Sequence, residues 1–405
     1  MSSMYTDQER LESLVQGRKA FVFVVDRYSW PIHRSRCFCG VKNPRGLGGF
    51  SGRYGLYADL MGIRHGDLIF FYQRRINEPP EERGFRGIYQ VVSDPFFDSE
   101  DVGLEGYQFK VLGKCPHCYS THPERGDWVC SNCGKPIGEG NHILPIRILI
   151  KPVVYFERPV DDNTAYIDRT EKGELWTMLF RKIFGPGRQR SVNPILPEEA
   201  ARLIRLLLKV NKNKRGELQL QPYNPKSPRQ IDLELGKGPR VDYEHQLIAW
   251  LMRNIDKSNK GILNDIVPRE ELEWFGNEVM YGIGGEKVDL LCLHRGENGV
   301  RYKATVFEVK KDTIREDSLR QIERYSYWVS QLVTANAEPK IYSLELQPVL
   351  LGHRVSGSVI SKVKRWRTRT IVIPYPGGRC SVTIRAPIIL RYWVRRGSIN
   401  IERFL

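Results

Sequence analysis

The sequence has little of what marks a membrane, secreted or repetitive protein. No segment approaches the roughly eighteen unbroken apolar residues that a membrane-spanning helix requires, and residues 1–19 are polar, with no apolar core of the kind a signal peptide carries. Internal repeats and low-complexity tracts are also lacking, which excludes a solenoid and a disordered chain. Eight cysteines in 405 residues are too few for a disulfide scaffold. Four of them fall in two CxxC pairs, a spacing that speaks for metal in a reducing compartment, so a cytoplasmic location is expected. Acid is the scarcest of the charged classes: 47 Asp and Glu stand against 63 Lys and Arg, leaving a formal net charge of +16. An excess of this kind, crowded into particular segments, implies a polyanionic partner held by phosphate neutralisation and counterion release.

With 41% hydrophobic residues the chain can close real cores, and its 405 residues imply two or three domains with at least two separate cores. From Ala20 the pattern is β-rich: AFVFVV, DLIFFYQ and GIYQVV read as short strands divided by Gly-, Pro- and Arg-rich loops. HILPIRILI reads as a further buried strand and GELWTMLFRKIF as an amphipathic helix. Pro197, Glu198 and Glu199 open another helix, AARLIRLLLKV, with proline in its first turn and acids at the positive end of its dipole. Residues 213–240 have the composition of an exposed linker. After it YEHQLIAWLMRNI has helical spacing, followed by strand VDLLCL, strand ATVFEVKK, helix LRQIERYSYWVSQLV and strand KIYSLELQPVL, an α/β succession. From His353 to Leu405 twelve Lys and Arg accompany a single acid, Glu402, in a basic region interleaved with aromatics that suits a nucleic-acid groove.

Two constellations carry chemistry. In ATVFEVKK, Glu308 and Lys310 are two apart on a strand and project from one face, while Phe307 and Val309 point into packing. Asp289 lies on the preceding strand, which a turn at Gly296 and Gly299 would lay alongside. Two hard carboxylates at a sheet edge suit Mg²⁺ or Mn²⁺, and a neighbouring ammonium suits the charge that develops on a phosphorane. The second constellation is Cys115-Pro-His-Cys118 and Cys130-Ser-Asn-Cys133, two knuckles whose four thiolates supply the closed tetrahedral shell of a structural Zn²⁺. A closed shell leaves no position for substrate, so this metal is assigned to folding. Cys37, Cys39, Cys292 and Cys380 read as ordinary buried thiols.

In order along the chain, Glu244 on a helix, Asp289, Glu308-x-Lys310 and Gln321-x-x-x-Tyr325 on a following helix resemble the PD-(D/E)xK nuclease superfamily, the last element being similar to its RecB-type and archaeal mismatch-nuclease branches. The resemblance covers roughly Val241 to Leu350, and Val288 stands where that pattern has a nominal proline. It implies that Asp289, Glu308 and the Val309 carbonyl bind the catalytic metal, that Lys310 is the catalytic lysine, and that Glu244 completes the metal or water shell. Gln321 and Tyr325 would orient the lysine or touch the phosphate backbone, the plainer alternative being that they are helix surface.

The first half resembles the EVE domain, a relative of the YTH and PUA folds, on the strength of Gly40-Val41-Lys42-Asn43, the stretch Ile63 to Tyr72, Gly87 to Val92, and Arg190-Ser191-Val192-Asn193-Pro194-Ile195. The zinc ribbon is an insertion that the EVE pattern lacks. A base lifted from a duplex needs aromatic faces to stack on and polar groups for its edge. The candidates are Trp30, Tyr72, Phe85 and Trp176 for stacking, Asn43 and Ser191 for the edge, and Arg45, Arg53, Arg74 and Arg190 for phosphates; core packing is the plainer role of each aromatic.

Together these readings give a multidomain α+β chain: a polar segment at 1–19, a PUA-like β-barrel reader at 20–212 with a zinc ribbon inserted at 110–142, a linker at 213–240, and an α/β restriction-endonuclease-like domain at 241–405. The joint resemblance is to a modification-dependent restriction endonuclease. It implies Mg²⁺-dependent hydrolysis of double-stranded DNA bearing modified bases, in the manner of type IV restriction, leaving a 5′-phosphate. A nuclease for mismatched or branched DNA or for modified RNA, and a non-catalytic reader of modified nucleic acid, are the alternatives. A homodimer is expected because cutting a duplex commonly takes two active sites.

Overall fold

The structure, a computed structural model, describes residues 7–25, 29–41, 49–73, 82–98, 102, 113–114, 121–122, 144, 146–161, 163–165, 167, 191–257, 261–281, 286–375 and 377–405. The described chain is mixed α and β, with two large sheets. The first half contributes helices α1 (Asp7–Glu12), α2 (Ser29–Arg36), α3 (Gly49–Met61) and α4 (Pro197–Val210). Its strands are β1 (Ala20–Val25), β2 (Phe38–Val41), β3 (Leu68–Gln73), β4 (Gly84–Val91), β5 (Phe96–Phe97), β6 (Gly113–Lys114), β7 (Thr121–His122), β8 (Ile146–Val154), β9 (Val192–Ile195) and β10 (Arg229–Gln230). All but β6 and β7 join one sheet, ordered β10-β5-β8-β4-β3-β1-β9 with β2 on β8; β1 and β3 run parallel and β6 pairs only with β7.

Alternation explains why both faces of this sheet are covered. Along β1 and β3, Ala20, Val22, Leu68, Phe70 and Tyr72 point to one face, where α4 buries Leu203, Ile204 and Leu207 on them. The intervening Phe21, Phe23, Ile69 and Phe71 point to the other. Helix α4 forms as its sequence implies: Pro197 occupies the first turn, and the Glu199 carboxylate accepts the Leu196 backbone N–H at 2.9 Å. Two helices, α2 and α3, occupy stretches expected as loops.

The second half contributes α5 (Glu244–Asn254), α6 (Ile262–Ile266), α7 (Glu316–Asn336) and α8 (Gly357–Lys364). Its strands are β11 (Leu272–Tyr281), β12 (Glu286–Arg295), β13 (Arg301–Ile314), β14 (Ser343–Val355), β15 (Arg369–Tyr375), β16 (Gly378–Ile384), β17 (Ile388–Arg395) and β18 (Ser398–Arg403). They form one sheet, β11-β12-β13-β14-β16-β15, with β17 and β18 attached beside β14. The β12–β13 hairpin turns at Gly296 and Gly299, the latter at φ 74°, a conformation that glycine adopts without strain. Strands β13 and β14 run parallel and are joined by α7, whose Leu319, Ile322, Tyr325, Val329 and Val333 form a stripe at helical spacing over the sheet. The basic C-terminal stretch is not a loose tail: it folds as α8 and four strands.

The halves do not keep two separate cores. One apolar cluster runs from Phe21, Tyr57 and Phe71 of the first half through Leu247, Leu251 and Met252 of α5 to Phe275, Phe307 and Val309 of the second sheet. The 213–240 stretch is mostly exposed, as a linker would be, yet it anchors Tyr223, Ile231 and Leu233 in apolar surroundings. Polar contacts lock the junction. The Trp274 indole N–H donates to the Ile195 carbonyl at 2.9 Å, Asn277 Nδ2 donates to Asp59 at 2.9 Å, and Arg64 pairs with Asp256 at 2.6 Å. Arg301 is 2% exposed and reaches Glu198 of α4 at 2.8 Å and Glu273 of β11 at 2.9 Å. Burial works against the Glu273 carboxylate, but Arg301 and Arg295 outweigh it and hold its pKa below the usual glutamate value.

Removing Arg301 would take its ion-pair partner from buried Glu198 and leave Glu273 with Arg295 alone, on opposite sides of the junction. Arg301→Leu should therefore lower stability by roughly 3–5 kcal/mol, read as a shift of the urea-denaturation midpoint. A shift worth less than about 1 kcal/mol, the range of an exposed pair, would show that the triad does not hold the halves together.

Candidate active site

The central strand β13 is buried without interruption from Ala304 to Val309, and Glu308 lies within that run, 0% exposed. Its neighbours in the sheet, Phe307 and Val309, point into the core shared with the first half, so Glu308 takes the α7 side. Lys310 follows two residues on and pairs with Glu308 Oε1. The ladder between β12 and β13 ends at Leu290–Phe307, and Asp289 is the next residue out, level with Glu308. Instead of continuing the ladder with its backbone, Asp289 accepts the Val309 N–H on its side-chain Oδ2 at 2.6 Å. Glu244, the first residue of α5, accepts the Lys311 N–H at 3.2 Å. The fold thus brings Glu244, Asp289, Glu308 and Lys310 together from one helix and two strands.

The electrostatics are those of crowded anions. Burial raises the Asp289 pKa well above the ordinary aspartate value, with Glu308 and Glu244 pushing it further; Lys310 and the Val309 N–H oppose this without cancelling it. Glu308 is raised for the same reason, burial first, with Lys310 as the main opposing charge. Burial also works against the Lys310 ammonium, but Glu308, Asp289 and Glu244 outweigh it and keep the lysine protonated.

Residues present fit a divalent cation. Glu308 Oε2 is buried without a hydrogen-bond partner, which leaves a hard oxygen beside a second carboxylate and a strand backbone. Among the described residues no three His, Cys, Asp or Glu side chains cluster as a complete metal site. Mg²⁺ does not require one, since it commonly takes one or two carboxylates and keeps several waters.

Tyr325 is 1% exposed in the core beneath α7, so the helix-surface alternative does not hold for it. Gln321, one turn earlier and partly exposed, donates from Nε2 to the Tyr325 hydroxyl at 2.6 Å. Another α7 side chain, Arg324, adds a favourable charge at Glu308.

Two residues in this region, Tyr243 and His245, escaped the sequence reading, and no spacing singled out a third, Glu278. A cleft of about 420 Å³ is lined by Tyr243, Glu244, His245, Lys310 and Lys311 among others. Tyr243 is 37% exposed at its rim and stacks on buried Tyr54 of α3, with ring centroids 5.7 Å apart. His245 Nε2 lies 2.9 Å from Glu278, which also pairs with Lys287. Glu278 is buried at φ 47°, a strained conformation for glutamate in a strand, and lies on β11 between Asn277 and Val279, whose partners Leu290 and Val288 flank Asp289 on β12. Only the position of the YEH triplet at the start of a helix hinted at Tyr243 and His245.

The reader candidates fare differently. Trp30 is 4% exposed and packs against Phe71 at 4.9 Å on the face shared with the second half. Tyr72 and Phe85, both fully buried, pack against each other at 4.9 Å on the opposite, α4-covered face. Rings on opposite faces of one sheet cannot line a single pocket, and these three are core residues; the expectation that they form a stacking set is corrected. Ser191 is partly exposed, and its carbonyl accepts the Val24 N–H at 2.9 Å. Asn43, Arg45, Arg74, Trp176, Arg190, Cys115, Cys118, Cys130 and Cys133, and the Arg53 side chain, lie outside the described residues. Cys37, Cys39, Cys292 and Cys380 are buried free thiols.

No family model matches the chain, and a search of curated proteins likewise finds no match. Among solved structures it is similar to a hypothetical protein from Leishmania major, with 12% identity over 48% of this chain and 96% of that one at a TM-score of 0.28. It is similar also to the human THYN1 protein, solved in complex with DNA containing 5-methylcytosine, and to the DUF55 domain of human thymocyte nuclear protein 1. Each of these covers 46% of this chain at 12% identity and a TM-score of 0.27; the coverage of the other chain is 96% and 97% respectively. Among the described residues no helix is long and apolar enough to cross a membrane.

Because the Glu308 pKa is raised on folding, its charge costs stability, and the cost grows as pH rises from about 4.5, where the unfolded side chain ionises. Glu308→Gln should therefore be more stable than the wild type at pH 8 in EDTA, by about 1 kcal/mol or more. Millimolar Mg²⁺ or Mn²⁺ should raise the wild-type Tm and leave that of the variant unchanged. Equal metal-induced shifts in the two proteins would count against metal binding at Glu308.

Proposed function

We propose that this protein is a metal-dependent endonuclease whose C-terminal half hydrolyses phosphodiester bonds, directed by its N-terminal half to DNA carrying modified bases. The observation that carries the reading is the meeting of Asp289, Glu308 and Lys310 where the ladder between two adjacent strands ends, with a buried Glu308 oxygen unengaged. Asp289, Glu308 and the Val309 carbonyl would hold Mg²⁺ or Mn²⁺. Bound there, the metal would supply Lewis-acid activation of the phosphate and of an attacking water.

The protein's own groups do the rest. Lys310, kept protonated by the carboxylates around it, presents a fixed positive charge to the phosphate as negative charge develops on its oxygens. Glu244, held by the Lys311 N–H at the mouth of the cleft, orients water on the side facing Lys310. Gln321 and Tyr325 brace α7 over the site, where Arg324 offsets part of the carboxylate charge. The net charge of +16 supports a nucleic-acid substrate. The zinc ribbon belongs to the same reading. Supporting it, Lys114 and Thr121 pair antiparallel on either side of the sequence that carries Cys115 and Cys118.

The test is cleavage of matched modified and unmodified duplexes with Mg²⁺ or Mn²⁺, comparing the wild type with Lys310→Ala. Cleavage confined to modified DNA and reduced at least a hundredfold by Lys310→Ala, the scale of losing one preorganised charge, is expected. Equal cutting of both duplexes would remove the modification reading; cutting that survives Lys310→Ala would remove the site. For the ribbon, elemental analysis of the purified chain should find about one zinc per molecule, lost on Cys115→Ser. A zinc-free wild type that folds normally would refute it.

A further inference from the structure

The geometry points to a second anion-binding site, for the phosphodiester backbone of a nucleic acid, in a basic cleft at the C-terminal end of α4. This inference rests on the proposed nucleic-acid substrate and adds a contact surface that shares no lining residue with the cleft at the candidate active site. The cleft encloses about 400 Å³ and is lined by four cations, Arg158, Lys212, Lys214 and Arg215, and one carboxylate, Glu157. Helix α4 has 14 residues and so spans about 21 Å. Its first turn touches the second half through Glu198 and Arg301, and the cleft lies at the other end of the helix.

Three features distinguish the cleft from an ordinary solvated face. The first is charge pairing. Several exposed cations elsewhere face acids: Arg240 with Asp312, Lys362 with Glu316, Arg369 with Glu323, Arg385 with Glu345. Among the described residues Arg158, Lys212 and Lys214 have no such partner, and all three line one concavity. Second, the walls are fixed. Asn211 closes the helix on Leu207 and clamps the backbone of residue 158 from both sides, donating to its carbonyl and accepting its N–H at 3.0 Å each, while the Gly216 N–H donates to Tyr155 O at 3.0 Å. A concavity held open this way loses little entropy on binding.

Third, the helix ends on a cation where a glycine would be less strained. Lys212 has φ 50° and Asn213 φ 60°, the left-handed conformation that usually falls to glycine just past a helix end. Helix-dipole compensation accounts for Lys209 in the last turn, but not for further cations beyond the cap. Replacing Lys212 with glycine would relieve the backbone and discharge the cleft, so stability and binding are expected to move in opposite directions.

The test uses the full chain and a fluorescein-labelled duplex of about 20 base pairs in EDTA, with the dissociation constant followed against salt. Wild type should bind with a steep salt dependence. In Arg158→Ala/Lys212→Gly/Lys214→Ala the slope of log K against log salt should fall by roughly two to three, at about 0.9 for each phosphate no longer neutralised. Lys212→Gly alone should raise the denaturation midpoint and still weaken binding. A variant slope equal to that of the wild type, or a Lys212→Gly protein that is stabilised with its binding intact, would overturn the cleft while leaving the nuclease reading standing. Absence of wild-type binding would overturn the cleft, and the metal-dependent cleavage assay decides the nuclease reading separately. Exchange of chloride for inorganic phosphate at equal ionic strength should not displace the duplex; displacement would reassign the cleft to a small anion and overturn the proposal.

Discussion

A carboxylate with no exposure on the central strand of a sheet is the constraint around which the second half is built. Strand β13 is covered on both faces, so a charge on it must be answered within the protein or drive its own protonation. Glu308 is answered only in part. Lys310 takes one oxygen and leaves the other unpaired, while Asp289 and Glu244 add repulsion. A fold selected for stability alone would place an apolar residue there, as it does at Val306 and Val309. What the crowding provides is a concentration of negative charge on a rigid strand, and the surrounding sheet, hairpin and helix tolerate its cost because their own apolar surfaces are buried.

The second structural commitment is the fusion of the two halves. Helix α5 is central to it: Leu247, Leu251 and Met252 lie in the core common to α3 and the second sheet, and Glu244 stands at the helix's N-terminus beside the site. The first half therefore fixes the seat of a candidate active-site residue, and through Tyr54 it also supports the ring of Tyr243 at the rim of the cleft. Arg301 closes the opposite side of the junction, tying α4 to β11. Groups carried by the two halves are thus held by one packed body instead of a tether, so their spacing is set by packing.

Much of this was legible in the sequence where a single rule dominated. The runs AFVFVV, DLIFFYQ and ATVFEVKK announced β1, β3 and β13, and Pro197-Glu198-Glu199 announced α4. The ExK spacing put Glu308 and Lys310 on one face because a strand alternates. Helices α2 and α3 were missed because Gly49, Gly52 and Gly55, together with the basic SWPIHRSR stretch, carry weak helical propensity, and tertiary packing of Trp30, Tyr54, Tyr57 and Leu60 decides instead. The C-terminal strands were hidden by arginines and threonines on their exposed faces, and β11 by Gly276 and a glutamate in a left-handed conformation. The aromatics Tyr72 and Phe85 misled for a general reason. Composition cannot say which face of a strand looks at a ligand when both faces are buried.

Charge is likewise a poor guide until its partners are seen. The basic stretch from His353 onward holds the densest run of cations and a single acid within itself; Lys362, Arg369 and Arg385 reach Glu316, Glu323 and Glu345 outside it, while Arg365, Arg379, Arg395 and Arg396 pair with no acid among the described residues. Exposed pairs like these contribute little to stability, but they locally cancel the field that a polyanion would feel. The turn after α4 has fewer cations and no such answering acids for Arg158, Lys212 and Lys214 among the described residues. An electrostatic footprint therefore follows the unpaired charge, which only the fold reveals, and not the count of lysines and arginines along the chain.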